Sequence, residues 1–389
     1  MKLSWAVFVT LPILFVCFLA GGGLNPSPAW ADHIKIGFSG SLTGGTFDYG
    51  QAAKRGFELA IKEYNEKGGY QGHPVVGVIY DDETQPAKGV QNTTRLVTLD
   101  KVIGVIGPVN SGVALATIDI TQRYQIPHII SIATAVPLTQ RYKSAPKNYI
   151  FHLSLVDSAQ IALMIDYVKK KGCQRVGMMN DTTGWGESGR QEALKQLKEN
   201  GIELATEIQR FAVGDTDMTA QLAKLKEANV DCLISFALAP EAVQILKSMD
   251  KLGYRIPLVD TWALLAPSFL KLGGKDLIEG AVTVSSYTIE LSERSRAFHE
   301  KVVAEYGEDF YPIATAQTYD ATRIMLRALD KVGPDPKKMR DAIEDMDDFT
   351  DAVTAISPKP YSKEDHEALG PGKGFLMTYR NGELVRLEP

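Results

Sequence analysis

Tryptophan, cysteine and histidine are scarce in this chain, with 4, 3 and 6 among 389 residues. The histidines are scattered and none pairs with another ligand at metal-binding spacing, so no metal site is expected. The glycine-rich stretch Gly40 to Gly50 lacks the Lys-Ser/Thr ending of a phosphate-binding loop. No G-x-S-x-G elbow occurs, and no catalytic constellation emerges. Basic clusters are missing too. Lys and Arg number 42 against 47 Asp and Glu, for a formal net charge of −5. A mildly acidic chain of this kind is a poor nucleic-acid binder. Beyond residue 24 no apolar run is long enough to span a bilayer.

What is present begins with Met1-Lys2 and an apolar run from Leu3 to Leu24. Asn25-Pro26-Ser27-Pro28 breaks it, and Ala29-Trp30-Ala31 offers small residues at a cleavage position. This predicts a signal peptide over residues 1–31 and export. An uncleaved anchor is the alternative. Cys17 follows Phe15-Val16 rather than small residues, so lipidation is not expected. Cys173 and Cys232 each stand at or just before the start of a predicted strand. Either a disulfide or two buried thiols fits that placement.

The stretch Val102 to Ala135 sets the plan of the rest. Two short β-branched runs flank one helical run, which is a βαβ unit with parallel, doubly covered strands. Before it come a strand at Ile34 to Ser39, a helix through Tyr64, a strand at Val75 to Tyr80 and a helix from Pro86 to Leu99. Tyr149 to Leu153 reads as a crossing strand, after which the pattern restarts. Strands are predicted at 175–180, 203–211, 231–236 and 256–260, each followed or preceded by a helical run. An extended run at Gly280 to Tyr287, three more helices and an Asn381-Gly382 hairpin close the chain. The expectation is an α/β protein with two doubly wound parallel-sheet lobes.

Several motifs invite chemistry. Gly184-Trp185-Gly186-Glu187-Ser188-Gly189 matches G-x-G-x-x-G, but Asn180 to Thr183 separates it from its strand. The tight turn of a dinucleotide site is therefore missing. Ser144-Ala145-Pro146-Lys147 matches S-x-x-K without a partner motif. Asp81-Asp82-Glu83 precedes a helix, where acids are ordinary. Ser111 and Thr134 follow consecutive strands, where a small carboxylate is readily held. The competing reading makes Ser111 a simple helix cap. Trp185 and Trp262 both fall just past strand ends, where they either close over an apolar ligand or serve as hydrophobic loop anchors.

The order of Ile36-Gly37-Phe38-Ser39-Gly40-Ser41-Leu42-Thr43-Gly44, Tyr80-Asp81-Asp82-Glu83, Ile106-Gly107-Pro108-Val109-Asn110-Ser111, Trp185-Gly186 and Thr318-Tyr319-Asp320-Ala321 resembles the periplasmic leucine/isoleucine/valine-binding proteins of ABC importers. The resemblance covers nearly the whole chain after the leader. It implies two lobes joined by three crossings near Leu153, Tyr287 and Ala352, closing about a ligand. The implied lobes are 32–153 with 287–350, and 154–286 with 351–389. It places Ser111, Thr134 and the backbone at Ile132 on the ligand carboxylate, with Tyr49 and Trp185 covering the ligand. Departures stand out. Trp262 occupies the place of the family's acid for the ligand ammonium, unless Asp260 or Asp181 takes that role. Leu238 and Ala314 stand where bulkier contacts are usual.

The resulting expectation is a monomeric, non-enzymatic periplasmic binding protein that needs no cofactor and delivers a small apolar or aromatic carboxylate to an ABC permease. A conventional branched-chain amino acid binder and a secreted sensor subunit are the alternatives. An NAD-dependent dehydrogenase ranks last.

Overall fold

A computed structural model of the chain describes Met1 and residues 34–387. Apart from Met1, the expected signal peptide lies outside the described residues. Among the described residues no helix is long and apolar enough to cross a membrane.

The first sheet comprises β1 (Ile34–Gly40), β2 (Val75–Asp81), β3 (Val105–Ile106), β4 (His128–Ile130) and β5 (Ile150–His152). Its order is β2-β1-β3-β4-β5, and every pairing is parallel. β1 is central and covered on both faces, so it reads as an apolar run rather than an alternation. The second sheet comprises β6 (Val176–Asp181), β7 (Gln209–Phe211), β8 (Cys232–Phe236), β9 (Leu258–Asp260), β10 (Val282–Ser285), β11 (Phe375–Arg380) and β12 (Glu383–Arg386). Its order is β12-β11-β10-β9-β8-β6-β7. The run β7-β6-β8-β9-β10 is parallel, and β11 and β12 add an antiparallel edge. Asn381 at φ 52° and Gly382 at φ 86° make the tight turn of that edge hairpin.

Each parallel run repeats one topology. The chain leaves a central strand for one neighbour, then crosses to the other side. That reversal opens a crevice at the carboxyl ends of β1 and β3, and again at β6 and β8. Gly107 makes the first crevice possible. Its φ is 97°, and a Cβ there would sit 2.2 Å from the Ser39 carbonyl oxygen. Only glycine lets the end of β3 lie this close to β1.

Some expectations need correction. Tyr149 to Leu153 does more than cross, because β5 pairs with β4 as the fifth strand of the first sheet. The strand expected over 203–211 shrinks to β7 plus one isolated bridge between Val176 and Leu204. Trp262–Leu265 and Pro267–Leu277 are helical, and neither was foreseen. Residues 351–368, expected in the second lobe, bond to the first sheet instead. The His152 N–H donates to the His366 carbonyl and the Ala368 N–H to that of His152, each at 2.9 Å. Val353 and Thr354 donate backbone N–H groups to buried Asp320. The third crossing thus falls between Ala368 and β11 rather than at Ala352. Cys173 and Cys232 are joined, with Cα atoms 5.9 Å apart. The bond ties the entry of β6 to the start of β8. A loop of that size contributes about 4 kcal/mol in the chain-entropy picture.

His128 sits fully buried on β4. Its Nε2–H donates to the Gly107 carbonyl, and its Nδ1 accepts from the Thr121 hydroxyl at 2.9 Å. Burial pushes the imidazole down to about 4, only partly offset by the Gly107 carbonyl. The unfolded chain takes the proton near 6.5, the native fold only near 4. The neutral-histidine contribution is therefore full above about pH 6.5 and is lost as pH falls toward 4. We expect urea unfolding to show wild type losing up to about 3 kcal/mol relative to His128→Asn over that interval. A wild-type advantage independent of pH would contradict this.

Candidate functional site

The crevices of the two sheets face each other, and the residues just past six strand ends meet there. A cavity of about 30 Å³ remains between them. It is lined by Thr46, Tyr49, Val109, Asn110, Ser111, Ile132, Ala133, Thr134, Trp185, Leu238, Trp262 and Ala263. That space holds a water or two but no acid of six carbons. The lobes are thus closed on one another.

On the first-lobe side the walls come from the loops after β1, β3 and β4. Asn110 caps the helix Ser111–Tyr124, its Oδ1 accepting from Gly112 at 2.9 Å and Val113 at 3.3 Å. The cap reading of Ser111 is therefore incorrect. Ser111 Oγ instead accepts the backbone N–H groups of Thr134 at 3.1 Å and Ala135 at 3.3 Å. It ties the end of β3 to the end of β4. Tyr49 lies in the first turn of the helix Phe47–Glu66, and its hydroxyl reaches the Ala263 carbonyl of the other lobe at 3.4 Å.

The second-lobe wall is aromatic. Thr183 caps the helix Gly184–Glu199 and presents Trp185. The Trp185 Nε1–H donates to Thr134 Oγ1 at 3.2 Å and to Asp157 Oδ1 at 3.3 Å. Its ring packs on Phe236 at 5.4 Å. Trp262 is held through its backbone N–H by Gln160 Oε1 at 3.0 Å. Tyr49 meets the Trp262 ring edge-on at 5.4 Å, and Tyr311 stacks on Trp262 at 5.9 Å.

Of the candidates from sequence, Ser111, Ile132, Thr134, Tyr49, Trp185, Trp262 and Leu238 all line this cavity. Ala314 does not. It is fully buried in the helix Pro312–Val332, whose preceding residue Tyr311 packs against Tyr49 and Trp262. Sequence reasoning missed Tyr311. An aromatic directly before a Pro-led helix was the available signal. The close approach of Gly112 and Gly184 also went unread. A Cβ on Gly184 would lie 3.3 Å from the Gly112 Cα across the lobes.

Among the described residues no charged side chain lines the cavity. Four acids are buried behind it. Asp260 accepts from the Ser235 and Thr261 hydroxyls and from the N–H groups of Thr261 and Ala237. Burial nonetheless pushes it up to about 8. Asp181 and Glu241 are also raised by burial, and each keeps one carboxylate oxygen without a partner among the described residues. Asp157 is raised by burial to about 7, with the Thr134 and Trp185 bonds pulling the other way.

A family model described as periplasmic binding protein matches residues 33–382. The chain belongs to that family. It is 27% identical over 333 residues to a leucine-, isoleucine-, valine-, threonine- and alanine-binding protein of Pseudomonas aeruginosa, covering 85% of this chain and 87% of that one. A periplasmic binding protein type 1 from Bordetella pertussis superposes with a TM-score of 0.83 at 26% identity, over 92% of this chain and all of that one. A solute-binding protein of an ABC transporter from R. palustris, solved with benzoate, shares the fold at 23% identity with a TM-score of 0.77, over 91% of this chain and 95% of that one. The family consists of periplasmic solute-binding proteins, not enzymes, that hand small molecules to ABC permeases.

Asn110→Ala is expected to cost about 1 kcal/mol through the lost cap. Ser111→Ala is expected to cost about 1–3 kcal/mol, because two buried N–H groups lose their acceptor. Urea unfolding measures both. A neutral Ser111→Ala would show that the strand-end tie does not hold in solution.

Proposed function

We propose that this periplasmic binding protein carries a small carboxylate without an ammonium group, an aromatic or other apolar acid, to an ABC importer. The lining of the closed cleft carries this reading. Among the described residues it offers hydroxyls, aromatic rings and no charge. Ser111 Oγ already accepts two backbone N–H groups. Its own hydrogen is left to donate, and a carboxylate is the natural acceptor. Such charge-assisted bonds contribute about 1.5–3 kcal/mol each. An ammonium enclosed without a counter-charge would cost several kcal/mol. The Trp262 face returns only about 0.5–2 kcal/mol to a cation. Asp260, satisfied by its neighbours and raised toward neutrality, is a poor counter-ion. The leader-like sequence of residues 1–31 supports export, and a cleft lined within one chain supports action as a monomer.

One observation favours a second reading. Asp181 and Glu241 keep unpartnered oxygens, and the Pseudomonas relative is named for amino acids.

Calorimetric titration with benzoate, phenylpropionate, leucine and phenylalanine separates the two. We expect the acids to bind, and Ser111→Ala to weaken them about tenfold or more, in line with one lost charge-assisted bond. Tight leucine binding with no response to either acid would restore the amino acid reading.

The small closed cavity requires the lobes to part before ligand enters. Small-angle scattering is expected to show a larger radius of gyration without ligand than with saturating ligand. Equal radii would remove hinge closure from the mechanism.

A further inference from the structure

We propose that Asp157 takes up a proton when the cleft closes on an anionic carboxylate, so that binding is proton-coupled. The inference rests on the carboxylate reading of the cleft given above. Asp157 opens the helix Asp157–Lys171, immediately after the first crossing between the lobes. Its backbone N–H donates to the Thr134 carbonyl at 2.9 Å. The acid is thereby fastened to the residue whose hydroxyl lines the cavity. Its side chain is fully buried, and Oδ2 has no partner among the described residues. Oδ1 shares the Trp185 Nε1–H with Thr134 Oγ1, and the adjacent Thr134 hydroxyl also favours the charged acid.

The charged groups around Asp157 do not neutralise it. From β5 comes His152, which is buried, paired with Glu367 and bonded to the Ala133 carbonyl. The His152 charge favours ionised Asp157, but this pull is outweighed by burial, which still raises the carboxyl. From the helix Gly184–Glu199 comes Glu192, an acid that itself opposes ionisation of Asp157. From the end of β4 comes Thr134, which is neutral.

A ligand carboxylate held at Ser111 and Thr134 therefore lies on the far side of Thr134 from a second buried carboxylate. Two such anions cannot both remain charged without a large penalty. Benzoate, an acid of ordinary strength, stays ionised near neutral pH. Asp157, already raised by burial to about 7, takes the proton. The balance is simple: one proton leaves solvent and bonds to an Asp157 carboxylate oxygen, with no other bond made or broken. Neutral Asp157 becomes a donor to Thr134 Oγ1. The Thr134 hydrogen is then released for the ligand.

The sign follows from linkage. Below the free-protein value Asp157 already holds its proton, and affinity is flat. Above it, binding must draw a proton from solvent, so Kd rises about tenfold per pH unit. The test is calorimetry of wild type with benzoate and phenylpropionate from pH 6 to 9, in buffers of different ionisation enthalpy. This reads protons taken up without any variant. We expect close to one proton at pH 8 or above and close to none at pH 6. Asp157→Asn, which mimics the neutral acid, should bind with affinity independent of pH and no proton uptake.

Acid binding by wild type without proton uptake at any pH overturns the coupling while leaving the carboxylate reading intact. Uptake that persists in Asp157→Asn also overturns it and places the proton elsewhere. If neither acid binds at any pH, the carboxylate reading fails and the coupling falls with it.

Discussion

Reversal of strand order in each parallel sheet is the constraint on which everything else depends. β1 lies between β2 and β3, and β6 between β7 and β8. The loops leaving each central pair must diverge, which leaves a crevice at their carboxyl ends. Ser111, Trp185 and Leu238 stand in the cleft for this topological reason. The same constraint explains Gly107. A strand end can reach the crevice wall only where no Cβ blocks the neighbouring backbone. Ser111 then completes the wall by giving two backbone N–H groups of the next strand end an acceptor.

The electrostatics follow a second rule. Acids are plentiful around the cleft but are kept behind its surface. Asp157, Asp181, Asp260 and Glu241 are all buried, and burial raises each of them. Asp260 shows how such a group is tolerated. Its oxygens are surrounded by hydroxyl and backbone donors, so its burial is compensated by hydrogen bonds rather than by a cation. Asp157 lacks that saturation, since one oxygen has no partner among the described residues. The contrast separates an acid that holds loops in place from one whose charge state can respond to what enters the cleft.

Much of this was legible in the sequence because parallel strands covered on both faces announce themselves as apolar β-branched runs. The βα alternation then placed Ser111, Thr134, Trp185 and Trp262 just past strand ends, and the cavity lining includes all four. What escaped was set by tertiary contact. The choice between Asn110 and Ser111 as helix cap depends on where each side chain points, and both types cap well. Residues 351–368 carry no periodicity. They are held by Asp320 and by the edge of β5, which local pattern cannot reveal. Ala314 misled because residue type alone does not show that it is buried within its helix and outside the cavity lining.

The aromatic group at the cleft bears on ligand choice. Tyr49 and Tyr311 pack edge-on at 5.0 Å, and both contact Trp262. With about 30 Å³ left open, a ligand can enter only if these rings part. Parting them gives up ring-ring contacts that contribute about 0.5–1.5 kcal/mol each beyond burial. A flat aromatic ligand restores such contacts by stacking where the rings had met. An aliphatic chain restores buried area but not the edge and face geometry. On the carboxylate reading proposed above, the close packing of these rings favours an acid that brings a ring of its own.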